Sequence, residues 1–127
     1  MIKDVLLVGS DHTDLTAAKK VLEDYSFTVD IVYTGSGAIK RTQCPGYFVV
    51  VICDDLEDKT AKELLEKLMN VSPYTEYIIY SSDTNFSHAK ELVNLGATGF
   101  ATKGDYAELK MVLERKRGLT VNDMNYF

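Results

Sequence analysis

Four acids, a cysteine and a lysine are the side chains whose type and spacing could do chemistry. Asp54, Asp55, Glu57 and Asp58 follow directly on the apolar run Tyr47-Phe48-Val49-Val50-Val51-Ile52-Cys53. Clustered carboxylates can hold a hard cation through oxygen ligands, although an acidic loop is more often simply solvated. Cys53 could serve as a redox group only with a depressed pKa and an exposed sulfur; at the end of a buried strand a cysteine more often fills apolar space. A nearby Lys103 would lower the Cys53 pKa or pair with one of the acids, whereas Asp54 and Asp55 would raise it. Ser81, at the end of a strand, could simply satisfy backbone groups. His12 and His88 lie far apart in the chain without metal-ligand spacing, so neither is assigned a role.

Five short apolar segments and five helical patterns must position these groups. Val5-Leu6-Leu7-Val8 is continuously apolar, as a strand covered on both faces should be. Phe27 to Tyr33, Tyr47 to Cys53, Tyr77 to Ser81 and Thr98 to Thr102 are the other predicted strands. Helices are expected over Thr13 to Asp24, with Leu15, Ala18, Val21, Leu22 and Tyr25 as its core stripe, and from the turn Thr34-Gly35-Ser36-Gly37 to about Gln43. A third follows Thr60-Ala61-Lys62-Glu63, which has capping-box spacing, with Leu64, Leu65, Leu68 and Met69 facing the core. The fourth runs from Ser87 to Leu95 before Gly96, and the fifth from Tyr106 to Arg117, ended by Gly118. Alternation with short links implies an α/β domain with a parallel sheet covered on both faces. In such sheets ligands bind at the carboxyl ends of the strands. Gly9, Ser10 and Asp11, then Cys53, Asp54 and Asp55, then Ser81 and Ser82, and Lys103 all fall there.

The 127 residues, 46% apolar and 26% charged, are ordinary for one soluble domain. A net charge of −5 argues against nucleic acid as a partner, and the basic cluster Lys110, Arg115, Lys116 and Arg117 reads as cations at a helix C-terminus. No apolar run approaches the ~20 residues of a membrane helix, and the start Met1-Ile2-Lys3-Asp4 lacks a signal-peptide pattern. By elimination the expected address is cytoplasmic. Cys44 and Cys53 flank one strand and would stand roughly 20 Å apart, too far to bridge.

Several segments resemble the receiver domains of two-component response regulators. Leu95-Gly96-Ala97-Thr98-Gly99-Phe100-Ala101-Thr102-Lys103 is similar to the family's Gly-Ala-x-Gly/Asp-aromatic-x-x-Lys signature. Val5 to Val8 resembles the first strand, and Ile78-Ile79-Tyr80-Ser81-Ser82 the fourth, which ends in a switch Thr or Ser. The resemblance covers roughly Lys3 to Gly118 and leaves Leu119 to Phe127 as a tail or the start of a linker. It implies a flavodoxin-like (CheY-like) three-layer sandwich with five parallel strands in the order 2-1-3-4-5 and five helices.

The departures fall on the chemistry. In the family an acid pair after the first strand binds Mg²⁺ and an Asp at the end of the third strand accepts the phosphoryl group. Here Gly9 and Ser10 stand at the acid pair, and Asp11 fits a third, less essential acid. Counting back from Ala61, at the family's helix-start Gly, the phosphoacceptor position falls on Cys53. Gly104 replaces the proline after Lys103, and Glu57 the loop proline. Acyl phosphate formation needs a carboxylate nucleophile and a divalent ion, and cysteine sulfur is a poor ligand for Mg²⁺. The expectation is therefore a non-enzymatic pseudo-receiver without cofactor, acting on protein partners of a signalling pathway. Dimer or partner contacts would lie on the fourth helix, fifth strand and fifth helix, with Phe100 and Tyr106 as candidates. A register one residue later would instead make Asp54 the phosphoacceptor, with Mg²⁺ on Asp11 and Asp54; a Cys53 thiol sensor is the other alternative.

Overall fold

The computed structural model describes residues 3–43, 46–83 and 88–125, with side chains for 4–43, 46–83 and 88–116. Five strands, β1 (Lys3–Val8), β2 (Val29–Val32), β3 (Tyr47–Cys53), β4 (Glu76–Ser81) and β5 (Gly99–Thr102), alternate with α1 (His12–Asp24), α2 (Gly35–Thr42), α3 (Ala61–Val71), α4 (Ala89–Leu95) and α5 (Tyr106–Asn125). All strand pairs are parallel, in the order β2-β1-β3-β4-β5. The alternation implies the parallel sheet, and the strand order is that of the flavodoxin-like architecture the resemblance implies.

Each sheet face carries its own core. Val5, Leu7, Val49, Val51, Cys53, Ile78 and Tyr80 pack under α1 and α5, while Leu6, Val8, Val50, Ile52, Tyr77 and Ile79 pack under α2, α3 and α4. The period of two along each strand sends successive side chains to opposite faces. With both faces covered, the sequence shows unbroken apolar runs instead of alternation.

Helix ends follow local chemistry. Thr60 and Glu63 form a complete capping box on α3. Thr34 caps α2, and Asp58 adds its carboxylate to the Gly35 and Ser36 N–H groups, tying the β3–α3 loop to that helix. Gly96 ends α4 with a φ of 121°, and a Cβ there would lie 2.6 Å from Met69 Sδ.

Two expectations fail. Tyr25 is no part of the α1 core; it is 47% exposed, with the Lys110 ammonium 3.8 Å over its ring. The fifth helix does not stop at Gly118 but runs to Asn125, so residues 119–125 continue α5. An interior glycine costs a helix about 1 kcal/mol, which does not terminate it when no proline follows. Ser87 as a helix start, Cys44 of the cysteine pair and the Arg117 side chain lie outside the described residues. Among those residues, no helix is long and apolar enough to cross a membrane.

Candidate functional site

The loops after β1, β3 and β5 converge at the carboxyl edge of the sheet. Lys103, the residue after β5, is held by its N–H donating to the Ser81 carbonyl at 2.8 Å. Its ammonium donates to Asp55 Oδ2 at 2.9 Å and lies 3.5 Å from Asp11 Oδ2. The Ser10 N–H donates to Asp55 Oδ1 at 3.2 Å, and the Ser10 hydroxyl to the Asp55 carbonyl at 2.7 Å. Asp55, which the linear pattern left as one acid of a loop, is thus the hub.

Gly9 makes room for this hub. A Cβ built on Gly9 would lie 2.7 Å from Cys53 Sγ and 3.2 Å from Asp55 Oδ1. Cys53 ends β3, pairs in register with Tyr80 and is 1% exposed. It therefore sits directly against Gly9, with its sulfur on the α1/α5 side of the sheet. Asp54, the next residue, points to the other face, where the Ser81 hydroxyl donates to its Oδ2 at 2.6 Å. Asp54 and Ser81 also line an open groove of about 600 Å³ between α3 and α4, floored by Leu56, Ile79, Leu92 and Phe100.

Electrostatics follow from these contacts. Burial pushes the Asp55 carboxyl up, but the Lys103 hydrogen bond, the Ser10 N–H and the Lys103 charge outweigh it, leaving the group below its ordinary value. The Asp14 N–H, with help from Lys103, lowers Asp11 as well. The Asp55 hydrogen bond, against burial, raises Lys103, with the charges of Asp55 and Asp11 adding to it. All three groups are thus held charged at neutral pH. Burial, and then the charges of Asp55 and Asp14, push the Cys53 thiol far up, with Lys103 opposing. That is the reverse of what a redox cysteine requires.

A magnesium ion would need hard oxygens free to turn toward it. Gly9 contributes none, the Ser10 hydroxyl is spent on the Asp55 carbonyl, and the Cys53 sulfur is soft and protonated. Asp11 and Asp55 face an ammonium instead, and Asp54 accepts from Ser81 on the other face of the sheet. Among the described residues, no three His, Cys, Asp or Glu side chains are grouped to share a metal ion. This donor set does not fit magnesium.

Of the other sites named from sequence, Ser82 is exposed and outside the ion-pair cluster. Phe100 is half-buried against the α2–α3–α4 core, and Tyr106 half-buried against the α1–α5 core. On the surface of α4 and α5, Val93 and Met111 are 52% and 51% exposed. The linear reading missed one polar cluster. The Tyr80 and Tyr106 hydroxyls both donate to Asp14 Oδ1, at 3.3 and 2.7 Å. A tyrosine inside a fully buried strand is itself a signal, because its hydroxyl needs a partner, but nothing in the order of residues names Asp14.

No family model and no curated protein matches the chain. Solved structures do. It is similar to the receiver domain of the Francisella response regulator 1452 (TM-score 0.84, 21% identity, 93% of this chain and 98% of that chain covered). The CheY-like response regulator receiver domain protein of Methanospirillum hungatei JF-1 superposes with a TM-score of 0.80 at 22% identity, over 93% of this chain and 98% of that one. The receiver domain of a sensor histidine kinase from Pseudomonas aeruginosa PAO1, solved with magnesium in its active-site cleft, gives 0.81 at 16% identity, over 93% and 99%. At these identities what is shared is the fold: the chain has the flavodoxin-like, CheY-like fold of these structures.

Proposed function

We propose that this chain is a receiver-type signalling module that works through protein contacts without being phosphorylated and without binding Mg²⁺. The observation that carries the reading is the lysine's engagement. Lys103, at the position where the resembling family holds a phosphoryl group, is hydrogen-bonded to Asp55, while a buried thiol, Cys53, stands at the phosphoacceptor position. A thiol held protonated by burial offers neither a carboxylate for acyl phosphate nor a reactive sulfur, so the thiol-sensor reading loses support. The Asp54 alternative loses support because that carboxylate accepts from Ser81 on the face opposite the Lys103 cluster.

Without a phosphoryl group, any change of state must come from a partner that binds one conformation better than another. The exposed apolar residues Val93 and Met111 make the α4–β5–α5 side the surface on which we place protein partners or a second copy. The acidic balance supports proteins over nucleic acid as partners, and the absence of a long apolar segment among the described residues fits the expected cytoplasmic address. Incubation with acetyl phosphate and Mg²⁺ followed by intact mass tests the proposal. An unchanged mass is expected; a labile phosphate adduct that disappears in Asp54→Asn would establish the phosphoacceptor reading instead.

A further inference from the structure

The turn that presents Lys103 rests on a buried hydroxyl. Gly104, the next residue, has a φ of 89°, a conformation glycine adopts without steric penalty. Its N–H donates to the Tyr80 hydroxyl at 2.7 Å. Tyr80 is 0% exposed and lies on β4 immediately before Ser81, on the α1/α5 side of the sheet. Its O–H is used a second time, donating to Asp14 Oδ1 on α1 at 3.3 Å. The same carboxylate oxygen accepts from Tyr106, the first residue of α5, at 2.7 Å. One phenol thus joins the β5–α5 turn to α1 and, through Asp14, to the start of α5.

This cluster is retained at a cost. Among the described residues, Asp14 Oδ2 is buried without a hydrogen-bond partner, and an unsatisfied buried acceptor ordinarily costs about 1–3 kcal/mol. Both tyrosines respond to the carboxylate: its hydrogen bond, with burial, raises Tyr106 to about 12, while burial first, with the Asp14 charge adding, raises Tyr80. Two neutral phenols therefore donate into one oxygen, an arrangement an apolar pair of side chains could not reproduce. The proline of the resembling family would hold φ near about −65° through its ring and has no N–H to donate; Gly104, with a φ of 89°, makes a different turn whose N–H meets the Tyr80 hydroxyl.

We propose that Tyr80 is a positioning residue: its hydroxyl fixes the Gly104 turn so that the Lys103 ammonium stays on Asp55, and Asp14 ties that turn to α1 and α5. The inference rests on the Lys103–Asp55 pair being the working state of the pocket. It supplies a route by which a partner that moves the start of α5 reaches the pocket without phosphate.

The test uses the full chain and two nuclear magnetic resonance readouts, hydrogen exchange of the Gly104 amide and the ¹H–¹⁵N signal of the Lys103 ammonium. Tyr80→Phe is compared with Tyr77→Phe, which removes another fully buried β4 hydroxyl, one that donates to the Leu68 and Ser72 carbonyls on the opposite face. In Tyr80→Phe, Gly104 exchange is expected to rise about tenfold or more and the Lys103 signal to vanish, with neither change in Tyr77→Phe. Equal Gly104 exchange in wild type and Tyr80→Phe, or the same changes in Tyr77→Phe, overturns the proposal. If Tyr80→Phe does not fold, the wild type decides: a slowly exchanging Tyr80 hydroxyl proton is expected, and one exchanging as fast as an exposed phenol overturns it. Asp55→Asn separates the two readings. It is expected to abolish the Lys103 signal while leaving Gly104 protected; a Lys103 signal that survives it counts against the ion pair, not against Tyr80.

Discussion

Gly9→Asp is expected to destabilise the protein by about 3 kcal/mol or more, although it restores the residue type that the resembling family carries there. Two costs combine. The new Cβ would stand 2.7 Å from Cys53 Sγ and 2.9 Å from Cys53 Cβ, at the base of a buried side chain with no slack; overpacking of this kind costs about 1–3 kcal/mol. The new carboxylate would then meet the Asp55 carboxylate, and a buried charge beside a like charge is strongly disfavoured. Gly9→Ala isolates the steric part, so the difference between the two variants reads the charge. Urea unfolding gives both numbers through shifted midpoints. A Gly9→Asp protein as stable as wild type would mean the crevice opens readily to a side chain at position 9.

Lys103→Met is the second large effect. Methionine keeps the apolar stem but removes the charge, leaving Asp55 with its Ser10 bond and no cation. The Asp55 side chain is 23% exposed, so the loss is smaller than for a fully buried ion and amounts to about 1–3 kcal/mol at neutral pH. The pH dependence has a definite sign. Asp55 has a lowered folded-state pKa, so its contribution is full above the ordinary carboxylate range and is lost as pH falls through the lowered value. Lys103 has a raised one, so its contribution is full below the ordinary lysine range and is lost as pH rises through the raised value. The stability gap between wild type and Lys103→Met is therefore widest across the neutral window and closes toward both extremes. A gap that grew on acidification would contradict the pairing.

These effects hang on geometry that was only partly legible in the chain. The extent of β3 is readable, because seven apolar or aromatic residues in succession, Tyr47 to Cys53, stop at the first acid of the loop. Thr60 and Glu63 announced the start of α3 through a local rule, and the structure contains both halves of that box. Local rules also misled. Gly118 reads as a stop, but a glycine ends a helix only where the backbone turns left-handed, as Gly96 does and as a continuing α5 does not require. Tyr25 sits at the phase of the α1 stripe, but the helix ends at Asp24 and Tyr25 is its C-cap, exposed, with Lys110 over its ring.

Within the crevice, the residue types and their strand-end positions were readable, and the pairing was not. Asp54 and Asp55 are neighbours in one acidic loop, and only the direction in which β3 ends decides that Asp54 goes to Ser81 while Asp55 turns back to Lys103. A continuously apolar strand has no alternation from which to read that direction. The Asp14 cluster was hidden for a different reason: its hydroxyl donors are 66 and 92 residues away, and no spacing rule reaches across three elements.

We propose that the crevice is filled by its own ion pair, Lys103 on Asp55, which leaves no place for a metal and a phosphoryl group. The direct measurement is a titration of the ¹⁵N-labelled chain with Mg²⁺ and then beryllium fluoride, a phosphoryl mimic, following the amides of Gly9, Ser10, Asp55 and Lys103. We predict that these signals stay in place beyond the small shifts produced by ionic strength. A saturable displacement of all four, completed by beryllium fluoride only when Mg²⁺ is present, would mean that the crevice opens to both.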